Sequence, residues 1–382
     1  MSVILDFIKN KKALLGICIF VFSISFDPDW SSKSLVFMII IGLFTLDFNR
    51  LFLKKEYLFI LLITLVYVLI NMNRLSTIHF SNLATLGLCI LFYLLIFQTN
   101  YKFINLKIVT FFFTFGVFFV GIVNLLSFLF ETRNFSIFNA WKDFSIFDIH
   151  KIYYGSFVNL SFLMLIYLFL KKQVSFRSIL FLIPFIIVLL LFTGSVSNMF
   201  IFALLCTLYI SYNYFLSYYK KIYLLILLGP VLILCALSTS YGKEFMHEIE
   251  GERSRVRNFG VNRALISKSP IYGYGIGNEL YIMQEARSKK SWEYKNSYNA
   301  HNQYFEYLLG GGAIYLILSL FPLLYINIKD RKLNQNLFAN GFTVILGYIY
   351  LIESFEQRHH GRMFFAFFIT LIILDMHRDK LK

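Results

Sequence analysis

The sequence predicts an all-α, polytopic membrane protein with about twelve transmembrane helices. Of the 382 residues, 58% are hydrophobic and only 15% are charged, and the mean hydropathy is +0.67. A soluble domain is about 25% charged, so this chain lacks the polar surface that a globule in water needs. The apolar runs also lack the period of two that is typical of membrane β-barrel strands. Soluble enzymes, disordered chains and disulfide scaffolds are therefore excluded.

Each predicted helix rests on an apolar run, because a helix needs about 20 mainly apolar residues to cross a bilayer. These runs cover residues 12–29, 34–48, 57–73, 81–99, 107–130, 152–170, 177–194, 196–215, 221–239, 302–328, 336–354 and 362–376. The second and the last are short. The runs predict three regions: residues 1–239 with helices 1–9, a large external loop over 240–301, and residues 302–382 with helices 10–12 and a tail.

Basic residues in the connections predict the orientation, because Lys and Arg favour the cytoplasmic side of a membrane. With the N-terminus in the cytoplasm, the cytoplasmic segments hold 19 of the 36 Lys and Arg residues but six of the 21 acidic residues. About +13 of the net charge of +15 then acts as a topology signal. We expect both termini to be cytoplasmic. We expect no nucleic-acid partner, since these basic residues are scattered over short loops.

The external loop over residues 240–301 is the longest connection, and such loops usually carry function. Its first part, residues 242–259, reads as a charged helix, and the segment 270–277 is a Gly-rich turn. A nucleotide-binding glycine motif needs a strand before it and a helix after it, so we exclude that reading. We expect these glycines to allow a tight turn or a close approach to a ligand. Gly310, Gly311 and Gly312 predict close helix packing or a break in the tenth span.

His301 is the candidate general base, at the outer end of the tenth span. We expect it to begin a helix and to share a face with Tyr304, Phe305 and Leu308. The positive end of a helix dipole disfavours an imidazolium, and a neutral imidazole can accept a proton. The alternative is an interfacial polar residue without a catalytic role.

Two further polar segments lie on the external side: residues 148–154, with His150 and Lys151, and residues 353–362, with Glu353 and Arg358. Ionisable groups beside spans are often functional, although the second segment also fits a solvated turn with a snorkelling Arg. The pair His359-His360 has no acidic partner at a fixed spacing, so we expect no metal. Cations suit a pyrophosphate and imidazoles suit proton transfer. These cations and imidazoles together fit a lipid pyrophosphate at the external surface of the membrane.

The motifs of the second half together resemble the O-antigen polymerase/O-antigen ligase family. They are Pro270-Ile-Tyr-Gly-Tyr-Gly-Ile-Gly, then Ala300-His-Asn-Gln-Tyr-Phe before a glycine-containing span, with Arg255 at the position of the family's Arg. Glu353-Ser354 with Arg358 resembles the last loop, and His150-Lys-Ile-Tyr resembles a further motif. The resemblance covers residues 148–376. Val196 is a departure, since the family commonly has Arg there. Lys151, Arg253 or Arg358 would have to supply the missing pyrophosphate contact.

The resemblance implies a metal-independent, inverting glycosyltransferase of the GT-C-like type, without a cofactor, in the bacterial inner membrane. The donor would be a glycan on undecaprenyl pyrophosphate at the periplasmic face. By analogy, His301 would be the general base and Arg255 would hold the pyrophosphate. The remaining substrate-binding candidates are Arg358, Lys151, His150, Arg253, Asn302, Tyr304 and Glu353.

The leading interpretation is a polymerase that joins lipid-linked repeat units, with membrane lipids and a chain-length regulator protein as candidate partners. The alternative within the family is a ligase that transfers the glycan to lipid A-core. A transporter of lipid-linked oligosaccharides is less favoured, because it predicts an internal repeat and charges at mid-membrane. The sequence has no repeat between its halves, and its charges gather at one surface.

Overall fold

A computed structural model describes residues 2–45, 88, 91–92, 105–131, 141, 146–147, 149–214, 253–328 and 333–378. In these residues the regular secondary structure is entirely helical, which confirms the all-α prediction for them. The helices are α1 (Ser2–Ser23), α2 (Pro28–Thr45), α3 (Leu106–Glu131), α4 (Lys151–Leu170), α5 (Phe176–Thr193), α6 (Val196–Tyr214), α7 (Arg253–Lys268), α8 (Glu279–Ala286), α9 (Trp292–Lys295), α10 (Gln303–Ile328), α11 (Leu333–Ile352) and α12 (His359–Arg378), with a 3₁₀ turn at Phe355–Gln357.

Most predicted spans that fall on described residues coincide with a helix to within a few residues. The first span is the exception. It was expected over 12–29, but α1 ends at Ser23 and α2 begins at Pro28. Proline suits the first position of a helix, and Asp27 Oδ1 accepts a hydrogen bond from the Trp30 amide at 2.9 Å, which caps α2. The expected spans at 57–73, 81–99 and 221–239 lie outside the described residues, apart from residues 88, 91 and 92.

Four of the described helices are long and apolar enough to cross a membrane. They are α3 over Leu106–Phe130, α4 over Lys151–Leu170, α10 over Gln303–Ile328 and α12 over His359–Met376. The chain is therefore a helical membrane protein. The full set of twelve spans stays a prediction.

Helix α4 forms the centre of the bundle, because nearly its whole length is buried. Its Tyr154 hydroxyl donates to the Val117 carbonyl of α3 at 2.8 Å, and Asn159 Nδ2 donates to the Asn198 carbonyl of α6 at 3.0 Å. These contacts join three helices around a core rich in phenylalanine. Helix α3 instead exposes apolar side chains such as Phe115, as expected for a face against lipid.

The expected break in α10 occurs at Gly311 and Gly312, which have non-helical backbone angles. The Gly-rich turn docks there: the Tyr274 amide donates to the Leu309 carbonyl at 2.7 Å, and the Gly275 amide donates to the Gly310 carbonyl at 2.8 Å. The broken backbone therefore finds its hydrogen-bond partners in the segment 270–275. The glycines of the turn allow two backbones to approach each other closely. The other expectation was that they allow a close approach to a ligand.

Candidate functional site

His301 lies just before α10, in the turn that leads into the helix. Asn302 is the cap: its Oδ1 accepts from the Phe305 amide at 3.0 Å, and its Nδ2 donates to the Leu351 carbonyl of α11 at 3.0 Å. His301 itself has φ +47°, in the left-handed region, and its amide donates to Asn299 Oδ1 at 3.1 Å. The expectation that His301 shares a helical face with Tyr304, Phe305 and Leu308 is therefore wrong, because the helix begins after it.

The turn brings the His301 imidazole against a carboxylate from the end of α11. His301 Nδ1 lies 3.5 Å from Glu353 Oε2, and Glu353 is only 2% exposed. On its other side the imidazole stacks on the Tyr298 ring, with 4.0 Å between the ring centroids. The imidazole is restricted in its orientation, because Glu353 lies beside Nδ1 and the Tyr298 ring stacks on the imidazole plane. This arrangement resembles the carboxylate–histidine pairs that prepare a general base.

His150 and Arg358 complete a cluster of ionisable groups around Glu353. Burial raises the pKa of the Glu353 carboxyl, but contact with His301 and the positive charge of Arg358 outweigh it and hold the pKa below its usual range. Desolvation lowers the pKa of His150 to about 4, against the raising effect of Glu353. Glu353 is therefore anionic and His150 neutral at neutral pH. Lys151 belongs to the same electrostatic group, since its charge acts on His150.

The 3₁₀ turn between α11 and α12 places Arg358 beside the N-terminal end of α4. The Tyr153 ring stacks on Phe355 at 4.7 Å, its hydroxyl donates to the Phe355 carbonyl at 3.2 Å, and the Arg358 guanidinium lies 6.0 Å from the Tyr153 ring centroid. The same turn contacts the segment before α10, because Asn299 Nδ2 donates to Gln357 Oε1 at 3.0 Å. The candidate residues of three separate sequence segments thus meet at one place.

Glu306 is a residue of this site that the sequence reasoning missed. It is fully buried, and its Oε1 accepts from the Ala300 amide at 3.0 Å and from the Ser354 hydroxyl at 2.9 Å. One carboxylate oxygen therefore ties the residue before His301 to the residue after Glu353. The available signal was an acidic residue inside an apolar run, which is costly in a membrane and usually functional.

Buried polar contacts within the segment 253–300 fix the residues before His301. Asn258 Nδ2 of α7 donates to the Asn299 carbonyl at 2.8 Å and to the Ala300 carbonyl at 3.1 Å. Arg287 is only 8% exposed; it donates to the Tyr298 carbonyl at 2.5 Å and also to Asn258 Oδ1. Sequence reasoning did not single out these two residues, whose partners are distant along the chain.

Arg253 and Arg255 lie in the first turn of α7, and their side chains are outside the described part of the chain. Their predicted contacts are therefore not described. Of the charged helix expected over residues 242–259, residues 253–259 belong to α7, which continues to Lys268, and residues 242–252 lie outside the described part.

Tyr304 contacts α11: its hydroxyl donates to the Gly347 carbonyl at 3.0 Å. Asn302 and Tyr304, both predicted to bind substrate, thus make contacts that hold α10 on α11. Helix α6, which begins at Val196, packs on α4 through Asn198, whose Nδ2 donates to the Ile152 carbonyl at 3.1 Å. His359 faces α2, with Nε2 2.8 Å from Ser31 Oγ. His360 Nε2 lies 2.5 Å from the Phe26 carbonyl.

No protein-family model matches this chain, and no curated protein matches it.

Proposed function

We propose that the protein is a membrane-embedded polysaccharide polymerase, which transfers a glycan from polyprenyl pyrophosphate to a sugar hydroxyl of a second lipid-linked repeat unit. The observation that carries the proposal is the pairing of His301 with the buried Glu353, with Arg358 and His150 beside them. A base and a cation at one surface suit a reaction that removes a proton from an acceptor and releases a pyrophosphate.

In this mechanism Glu353 holds His301 through Nδ1, which leaves Nε2 to take the proton of the acceptor hydroxyl. The hydroxyl oxygen then attacks the anomeric carbon, and the bond from that carbon to the pyrophosphate oxygen breaks. The electron pair leaves with the polyprenyl pyrophosphate. A single displacement of this kind inverts the anomeric centre. The protonated His301 is stabilised by the Glu353 carboxylate.

The leaving pyrophosphate needs positive charge, and we assign this role to Arg358, Lys151 and Arg255. Arg358 is supported by its position in the cluster around Glu353. Arg255 is assigned on the motif resemblance, and it precedes by three residues Asn258, which contacts the Asn299 and Ala300 carbonyls. Arginine binds a pyrophosphate by bidentate hydrogen bonds. This assignment includes no metal and no cofactor.

The location also belongs to the proposal: twelve spans of a GT-C-like fold in a bacterial inner membrane, with the site at the periplasmic face. The four long apolar helices and the placement of charges in the sequence support it.

The transporter alternative has one observation in its favour, the break in α10 beside the buried Glu306 and Glu279. Transporters place broken helices and buried charges at a substrate site. Here, however, the Leu309 and Gly310 carbonyls of the break accept from the Gly-rich turn, and the Ala313 amide donates to the Pro270 carbonyl at 2.8 Å. These backbone groups are thus occupied within the protein and are not left for a substrate.

The test is an assay with the full chain in liposomes. The donor is an oligosaccharide on polyprenyl pyrophosphate, and the acceptor is either a second copy of that molecule or lipid A-core. Chain growth on the carrier lipid is expected. Transfer only to lipid A-core would identify a ligase, and translocation of the donor without a new glycosidic bond would identify a transporter.

A further inference from the structure

An exposed tryptophan stands at the end of a row of aromatic rings that leads to His301. Trp292 is 54% exposed, and its ring centroid lies 5.3 Å from that of Tyr298 in an edge-on arrangement. Tyr298 in turn stacks on the His301 imidazole at 4.0 Å. We call Trp292, Tyr298 and His301 the aromatic row. It connects the candidate base to the outer surface of the external segment.

The backbone that carries this row is held by buried contacts. Glu293 is 3% exposed and accepts from Arg257 Nε at 2.9 Å, and its carbonyl accepts from the Tyr298 amide at 2.9 Å. Ser291 caps the short helix α9 by accepting from the Tyr294 amide at 3.2 Å. The large apolar ring of Trp292 is therefore exposed on a rigid frame. An exposed aromatic group that loses little freedom on binding is well suited to anchor a ligand.

We propose that Trp292 and Tyr298 form a carbohydrate subsite, in which Trp292 stacks on a sugar of the acceptor glycan and directs the acceptor hydroxyl toward His301. The inference rests on the proposed function. A pyranose ring presents a face of C–H groups with slight positive charge, and the face of an indole ring is negative and apolar. Continuity with His301 favours a glycan as the occupant of this surface.

An exposed tryptophan on an external segment could instead anchor the protein at the lipid headgroups. The two roles differ in what the indole ring contacts, which is a sugar in the first and lipid in the second. A sugar-binding indole changes its fluorescence when a free oligosaccharide is added. A headgroup anchor is quenched by brominated lipid and is insensitive to the sugar.

The experiment uses the full chain in liposomes. The probe is the oligosaccharide released by mild acid from the lipid-linked donor, which lacks the pyrophosphate and the lipid. We expect saturable binding that Trp292→Ala weakens by about tenfold and that Trp292→Phe largely keeps. Trp30→Phe is the matched control, because Trp30 is 58% exposed and lies outside the row; it should leave binding unchanged.

Equal binding by Trp292→Ala and the unchanged chain would overturn the subsite, as would quenching of Trp292 by brominated lipid without a response to sugar. The proposed transferase is tested separately by chain growth. If growth occurs and Trp292→Ala binds the oligosaccharide normally, the transferase stands and the subsite fails. If the oligosaccharide binds through Trp292 but no glycosidic bond forms, the subsite stands and the transferase fails.

Discussion

His301 Nδ1 lies 3.5 Å from Oε2 of Glu353, a carboxylate with only 2% of its surface exposed. The two groups are in contact, but His301 Nδ1 has no hydrogen-bond partner among the residues that the structure describes. Catalytic contacts are often long or poorly aligned in enzymes without bound substrate and tighten in the productive complex. The pair joins the turn before α10 to the end of α11. Its chemistry is the basis of the first two predictions.

Replacing His301 by Ala should abolish chain growth. General-base catalysis contributes about 10²- to 10⁴-fold to a rate, so turnover at saturating donor should fall by at least about 10²-fold. His359→Gln is the matched control, since His359 faces Ser31 of α2 and lies outside the proposed mechanism. Comparable turnover in His301→Ala and the unchanged chain would show that another group removes the proton.

Glu353→Gln should lower kcat with little effect on the KM for the donor. The amide keeps the shape of the side chain but no longer favours a protonated His301, which forms when the acceptor loses its proton. A rise in KM with unchanged kcat would instead indicate that Glu353 binds substrate directly, as the sequence analysis also allowed.

The meeting of residues 150, 301, 353 and 358 could be predicted in part from the sequence. Each lies beside an apolar run at an end that the charge pattern assigns to the same membrane surface. Helices that cross together bring such ends to one level. The topology alone therefore predicts that these four residues lie at the same level. It does not require knowledge of which helices are neighbours.

The exact surroundings of His301 could not be predicted from the sequence. They depend on the left-handed backbone at His301 and on Asn302 as the cap of α10. The role of Glu306 could not be predicted either, because its partners Ala300 and Ser354 lie in two different loops. Periodicity carries no information about contacts of this kind.

Glu306→Ala should destabilise the protein and misplace His301. The change removes a buried side chain and leaves the donors of Ala300 and Ser354 without their shared acceptor. Each lost buried partner costs about 1–3 kcal/mol, so the melting temperature in detergent should fall clearly. Glu306→Gln keeps an acceptor oxygen at the same position and should retain most of the stability and turnover. Equal losses in both variants would point to a role for the negative charge.

The neutral His150 should make stability depend on pH. Its pKa is lowered from 6.5 to about 4 in the folded protein, so between these values the unfolded chain binds a proton that the folded chain does not. The contribution of His150 is complete above pH 6.5 and is lost as the pH falls toward 4. In His150→Asn the melting temperature should decline less steeply over this range. Identical slopes would contradict the lowered pKa.

Gly312→Ala should separate the Gly-rich turn from α10. Gly312 has φ +65°, which L-residues rarely adopt, and a Cβ there would lie 2.2 Å from the Ile271 carbonyl carbon. Because the nearest atoms all belong to the backbone of Ile271 and Tyr272, the strain should cost about 1–3 kcal/mol, measured as a lower melting temperature. The site should also lose activity, since the turn belongs to the segment that leads to His301.

Gly260→Ala is the control for this prediction, because Gly260 lies within α7 and nothing is within 4 Å of an added Cβ. Alanine in a helix interior is favoured over glycine by about 1 kcal/mol, so this variant should be slightly more stable than the unchanged chain. From the backbone geometry alone, Gly312→Ala is expected to lower the melting temperature and Gly260→Ala to raise it. If Gly312→Ala were as stable as Gly260→Ala, the Gly-rich turn could not be packed against the break in α10 as described.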